Sequence, residues 1–235
     1  MSEFRTPRIA ILASGSGSTA EALIRTTTTN RKINTQVGLV ICNNPPEKAG
    51  VYRRVAQLND ELELDLDVLH ISGATHPEGR QERGQTLAES AAICKAVADY
   101  DCGHVALLGY MKQVNGDLME EFGWRPGEYT STYQARMTNT HPGPLPLTKD
   151  TFGIKASEIA LREFKAGAIP FSEHTVHLVA PDIDDGPIIA RHRVTIFPSD
   201  TPEELFQRVQ ITEKERLPFV LDTFLEGQAY YNETH

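Results

Sequence analysis

The chain has 235 residues, and its 23 Lys and Arg against 32 Asp and Glu give a formal charge of −9, with 40% of residues hydrophobic. This length and composition suit one folded domain spanning 1–235 with a sizeable core. The acidic balance, with no clustered run of Lys and Arg, argues against a nucleic acid polymer as partner, whereas a small anion needs only a few backbone N–H groups.

The first apolar run, RIAILA (8–13), is bounded by Pro7 and Gly15 and is too short for a secretory or membrane segment, so no membrane partner is expected. It reads as a strand, followed by a Gly/Ser turn and a helix in STAEALIRT with Ala20, Leu23 and Ile24 on one side. QVGLVICNN (36–44) repeats the strand pattern, and Pro45 and Pro46 introduce a helix through EKAGVYRRVAQLN. LDVLHI (66–71), a helix over 80–99 and HVALLGY (104–110) make two further steps. Apolar runs alternating with helices predict a doubly wound, mostly parallel sheet with helices on both faces.

From MTNTH (137–141) the pattern changes. A helix is expected around 154–166, then alternating strands at EHTVHLV (173–179) and PIIARHRVTIF (187–197) as antiparallel additions. A final helix runs from about Thr201 to Leu225, opened by Ser199-Asp200-Thr201-Pro202-Glu203-Glu204. The stretch 123–136 has no periodicity and is expected to be a long loop or hairpin. Cys42, Cys94 and Cys102 are odd in number and without metal spacing, as in a reduced protein of the cytoplasm.

Gly15 and Gly17 lie between the first strand and the first helix, where free N–H groups and the helix dipole favour an anion. The spacing Gly15-x-Gly17-x-x-Ala20 also fits a dinucleotide turn, but the second strand ends in Cys42-Asn43-Asn44 without the acid that a ribose requires. A monophosphate therefore fits better than NAD, and a tight turn without a ligand stays open. The Gly-Lys-Ser/Thr of a nucleoside triphosphate loop is missing.

Asn139 and His141 are two apart on an extended segment, so their side chains point the same way. An amide that donates without titrating and an imidazole that carries a proton near neutrality suit an oxyanion and a proton transfer. Asp182, Asp184 and Asp185, in APDIDDGPII (180–189), offer a carboxylate to orient the imidazole. The plainer alternative makes His141 a loop residue and Asp-Gly-Pro a turn. His174 and His177, three apart on a strand, face opposite sides and lack a third ligand, so no metal is expected. His192 between Arg191 and Arg193 reads as a solvated strand position.

The motifs RIAILASGSGSTAEALI, VICNNPPEKAGV, LLGYMKQV, TNTHPGPLP, TVHLVAPDIDDGPII and RVQITEKERLP follow one another as in the folate-dependent formyltransferases. The similarity runs from about residue 8 to 225, and the glycine turn with the C-terminal Gln/Glu resembles the phosphoribosylglycinamide (glycinamide ribonucleotide) branch. The resemblance implies a Rossmann-like formyltransferase fold, with a phosphate-binding half at about 8–110 and a catalytic and folate-binding half at about 111–225. It implies catalytic Asn139, His141 and Asp184, which hold the tetrahedral intermediate as the acceptor amine attacks the formyl carbon of 10-formyltetrahydrofolate.

It further implies that Gly15, Ser16, Gly17, Ser18, Thr19, Gln210 and Glu213 bind the phosphate and ribose of glycinamide ribonucleotide. The reduced folate would lie against Met111, Lys112, Gln113, Val114, Asn139, Ala180, Pro181, Asp182, Ile183 and Asp184. Arg80 is the basic residue expected near the folate, with Arg83 competing for that place. No metal is implied, and the expected assembly is a monomer or homodimer. The chain departs from the family where Gly143-Pro144 replaces the usual Ser-Leu, Thr19 an Asn, Lys112 an Arg, and Lys155 and Ser157 histidines. Those changes surround the acceptor, so a formyltransferase acting on another small amine, such as an amino-sugar nucleotide, is the alternative. Such enzymes, like those that formylate initiator tRNA, usually carry an additional domain, and formyl-folate hydrolases carry a regulatory one. The non-enzyme alternative is a folate- or nucleotide-binding protein without turnover.

Overall fold

The apolar runs of the first half meet in the middle of one sheet, where side chains without polar atoms can be covered on both faces. The structure is a computed structural model that describes residues 6–81 and 84–234. Strand β1 (Arg8–Ala13) lies between β2 (Gln36–Cys42) and β4 (His104–Leu107), parallel to both. Beyond β2 comes β3 (Val68–His70), and beyond β4 come β5 (Met137–His141), β6 (Ser172–Leu178) and β7 (Ile188–Val194). The β4–β5 pairing is parallel, and the two last pairings are antiparallel, as expected.

Ile9 to Ala13 are fully buried, and the two-residue period of the strand divides them between two layers. Ile9, Ile11 and Ala13 pack with Leu23 and Ile24 of α1 (Ser18–Thr29), Val51 and Leu58 of α2 (Val51–Leu62), and Leu217 and Leu221 of α6 (Pro202–Thr234). Ala10 and Leu12 pack with Ile93 and Val97 of α3 (Leu87–Asp99) and with Leu118 and Phe122 of α4 (Gly116–Phe122). Helix α5 (Ile154–Lys165) closes a smaller core with α6 through Ala160, Leu161, Val194, Leu205 and Val209. Thr201 opens α6 reciprocally with Glu204: each backbone N–H donates to the other's side chain, at 2.8 and 3.2 Å.

Three expectations need correction, and one helix was not expected. The helix placed over 80–99 begins at Leu87, because Thr86 and Glu89 form a capping box there and Gln85 N–H donates to Gln113 O at 3.1 Å, holding 84–86 out of the helix. Helix α4, only seven residues long, was too short to show a period. The last helix continues to Thr234, and the 123–136 stretch is the reason: of the loop and the hairpin it is the loop, an irregular segment that packs Trp124, Tyr129 and Tyr133 around Phe224. The Gln228 amide donates to the carbonyls of Tyr133 and Ala135 at 2.8 and 2.9 Å, fastening that segment to the added turns. His192 is half-buried and stacks on the fully buried His174, at 5.7 Å between ring centroids and 15° between planes. Burial, with His192 and His141 nearby, pushes the His174 imidazole down to about 3.

The chain steps from β1 through β2 to β3 and then returns to the other side of β1 for β4. Loops leaving the carboxyl ends of β1 and β4 thus diverge, which opens a crevice at this switch point.

Candidate active site

A cavity of about 790 Å³ occupies that crevice, a volume ordinary for small-ligand sites. Its first wall is the turn Gly15–Thr19 at the start of α1. Gly17 caps the helix in a left-handed conformation (φ +73°), and a Cβ there would lie 2.6 Å from Val51 Cβ, so glycine is required both by the backbone and by the close approach of α2. The carbonyls of Gly15 and Ser16 accept from Val51 N–H (3.3 Å) and Arg54 Nε (2.9 Å). The first N–H groups of α1 have no intrahelical acceptor, and this is where an anion gains most.

Gln210 and Glu213, three apart on α6, face the same cavity. Thr140 donates to the Glu213 carboxylate at 2.7 Å. Burial raises the Glu213 carboxyl from its ordinary value, while hydrogen bonds with Thr140 and Thr19 pull it down. Glu213 therefore links β5, α6 and the glycine turn.

The opposite wall is Met111–Val114 and the loop carrying Ala180, Asp182, Ile183 and Asp184. Met111 N–H donates to Ser14 Oγ at 2.8 Å, and the Gln113 amide donates to Pro181 O at 3.1 Å, so both stretches are fixed to each other and to β1. Met111 and Ile183 are 56% and 44% exposed, offering flexible apolar surface to a flat ligand. The Lys112 ammonium donates to both oxygens of the fully buried Glu89, at 2.8 and 2.7 Å, which commits its charge to α3. Arg80 is exposed in the loop before α3 and is not among the residues that line this cavity. Arg83 lies outside the described residues.

Between these walls Asn139 and His141 project from β5, paired across the antiparallel ladder with His177 and Thr175 of β6. His141, 3% exposed, has Nδ1 3.4 Å from Asp184 Oδ2. His177 Nε2 is 3.5 Å from Asp184 Oδ1 and 3.1 Å from the Asn139 amide nitrogen. His177 Nδ1–H donates to Leu178 O at 2.9 Å, which turns Nε2 toward that pair. One carboxylate thus faces two imidazoles, one of which also lies against the Asn139 amide. Asp184 adopts a left-handed backbone (φ +54°), tolerated by Asp better than by most residues, and its Oδ2 accepts from Asp150 N–H at 3.2 Å. Gly186 lets the loop press on β6, since a Cβ there would be 1.8 Å from Leu178 O.

Burial alone would raise the Asp184 carboxyl, but hydrogen bonds with His141 and His177 and their positive charge outweigh it and hold it well below the usual carboxylate range. The carboxylate thus stays ionised where it faces both imidazole rings. His177 was not selected from the sequence; its alternation on β6 was visible, but only the register that sets it opposite Asn139 reveals it. Among the described residues, no group of three or more His, Cys, Asp or Glu is placed to hold a metal ion. The three cysteines are unpaired, and no helix there is long and apolar enough to cross a membrane.

A family model described as formyl transferase matches residues 7–221. The chain belongs to this family. A folate-derived formyl donor follows from that membership. The chain is 28% identical over 219 residues to the phosphoribosylglycinamide formyltransferase of Bacillus subtilis, covering 93% of this chain and 94% of that protein. It is 27% identical to the human trifunctional purine biosynthetic protein adenosine-3, covering 98% of this chain but spanning about a fifth (20%) of that protein's length. Among solved structures, glycinamide ribonucleotide transformylase 1 from Symbiobacterium toebii aligns with a TM-score of 0.74 at 27% identity, over 96% of this chain and 90% of its own.

Proposed function

We propose that this formyl transferase moves the formyl group of 10-formyltetrahydrofolate to the amine of glycinamide ribonucleotide, as a step of purine synthesis in the cytoplasm. The observation that carries the reading is a single cavity joining an anion-binding glycine turn to the Asn139–His177–Asp184–His141 cluster. The turn and the Gln210–Glu213 pair suit the phosphate and ribose of the acceptor, and the 111–114 and 180–184 stretches suit the pterin. The whole chain, 1–235, works as one unit, with residues 8–110 supplying the phosphate site and 111–225 the chemistry.

In this reading the acceptor amine attacks the formyl carbon, forming the new C–N bond and an oxyanion. Asn139 donates to that oxyanion, and the His141 imidazolium, stabilised by Asp184, balances its charge. The amine then loses a proton, the departing folate nitrogen gains one, and collapse of the intermediate breaks the old C–N bond.

An acceptor screen at fixed 10-formyltetrahydrofolate, followed by ultraviolet absorbance, tests the assignment. Release of tetrahydrofolate with glycinamide ribonucleotide supports it, and release only with other amines overturns the acceptor. Gly17→Ala separates the two halves: the crowding against Val51 displaces the turn, so KM for the phosphorylated acceptor rises about tenfold or more while KM for the folate stays within about twofold. Equal changes in both KM values would detach the turn from the acceptor.

A further inference from the structure

Thr148 is fully buried behind His141, and its hydroxyl lies 2.8 Å from His141 Nε2 and 3.2 Å from Pro144 O. We propose that Thr148 is a positioning residue for His141: its hydroxyl reverses between donor and acceptor as the imidazole loses and gains its proton, and Gly143 is the gap that admits it. The inference rests on His141 as the proton-linked group of the site.

The reversal follows from which atoms can accept. When His141 is neutral with its proton on Nδ1, toward Asp184, Nε2 is a lone pair and Thr148 donates to it. When His141 is imidazolium, Nε2–H donates instead, and Thr148 accepts while turning its own proton to Pro144 O. One hydroxyl is satisfied in both states without moving a heavy atom. The room for it is specific to this loop: a Cβ on Gly143 would stand 2.5 Å from Thr148 Oγ1 and 3.1 Å from its Cβ. Thr175 of β6 donates to Gly143 O at 2.8 Å, pinning the glycine in place.

The other titratable groups around His141 come from three sides. Asp184 faces Nδ1 from the 180–187 loop and carries His177 on its second oxygen. His174 of β6 is buried and neutral nearby. Asp150 adjoins Asp184 through its N–H, Lys149 is paired with Asp185 at 2.5 Å, and Glu213 lies beneath Thr140. None of these is altered by changing Thr148 to valine, which keeps the shape and removes only the hydroxyl.

A hydrogen bond from a charged donor is roughly twice as strong as one between neutral groups, so losing the hydroxyl weakens the imidazolium more than the neutral ring. In T148V the His141 imidazole, followed by NMR titration of the full chain without substrates, should titrate about one unit lower than in the wild type. The high-pH limb of kcat/KM should fall by the same interval. T148S should titrate as the wild type does. G143A, which pushes the hydroxyl away, should reproduce T148V, and the double variant should add nothing further. An unchanged His141 titration in folded T148V overturns the proposal; where T148V does not fold, an unchanged titration in G143A does so. A shifted titration together with no turnover on glycinamide ribonucleotide would instead sustain the Thr148 contact and remove the acceptor assignment.

Discussion

Replacing His141 by alanine lowers kcat by about 10²–10⁴-fold and leaves the affinity for reduced folate within about threefold. The two effects separate because the proposed folate wall is fixed mainly by contacts other than the imidazole. Met111 is fixed by Ser14 and Gln113 by Pro181, whereas His141 is held by Asp184 and Thr148. Single-turnover formyl transfer, with folate binding followed by fluorescence, measures both quantities on one sample. Stability falls by about 1–3 kcal/mol, since a buried ring is lost and Asp184 and Thr148 each lose a partner. Retention of transfer within about tenfold of the wild-type rate would remove His141 from the chemistry and leave it as an organiser of the 142–150 loop. Loss of folate affinity alongside rate would mean that the variant has disturbed the cavity as a whole.

How much of this was legible in the sequence follows from the range of each interaction. The parallel core could be read because burial on both faces leaves continuous apolar runs, as in Ile9–Ala13 and Leu39–Cys42. Asn139 and His141 could be placed together because a strand's period is local. Glycine at 17 could be read as a turn residue, although its contact with Val51 could not. What escaped depended on register or on distant packing. His177 joins the site only because β6 pairs antiparallel to β5 in a frame that sets it opposite Asn139. The continuation of α6 past Leu225 depends on Gln228 meeting carbonyls at 133 and 135, some ninety residues upstream. The ion pair that Lys112, on the cavity wall, makes with the buried Glu89 of α3 also depends on packing between separate elements. Thr148 could not be read at all, because a threonine in a loop gives no signal until the imidazole it touches is known.

Asp184→Asn isolates the charge from the shape. Asn has the size of Asp and also accepts the left-handed backbone, so the loop and the approach of Gly186 to Leu178 should survive. The carboxylate that faces both His141 and His177 is lost, and kcat should fall by about 10²–10³-fold. Without it the imidazolium forms are less favoured, so the high-pH limb of kcat/KM moves to lower pH. Stability gives an independent reading of the same charge. Although burial opposes it, the two imidazoles depress the Asp184 carboxyl below its unfolded value of about 3.9. Its contribution is therefore complete above that unfolded value and is lost as pH falls through the lower folded one. The wild type should exceed the Asn variant by about 1–3 kcal/mol in urea unfolding at pH 7, and the gap should shrink steadily below about pH 4. A gap of the same size at both pH values would assign the loss to packing, and with it the role of Asp184 as counter-charge would fall.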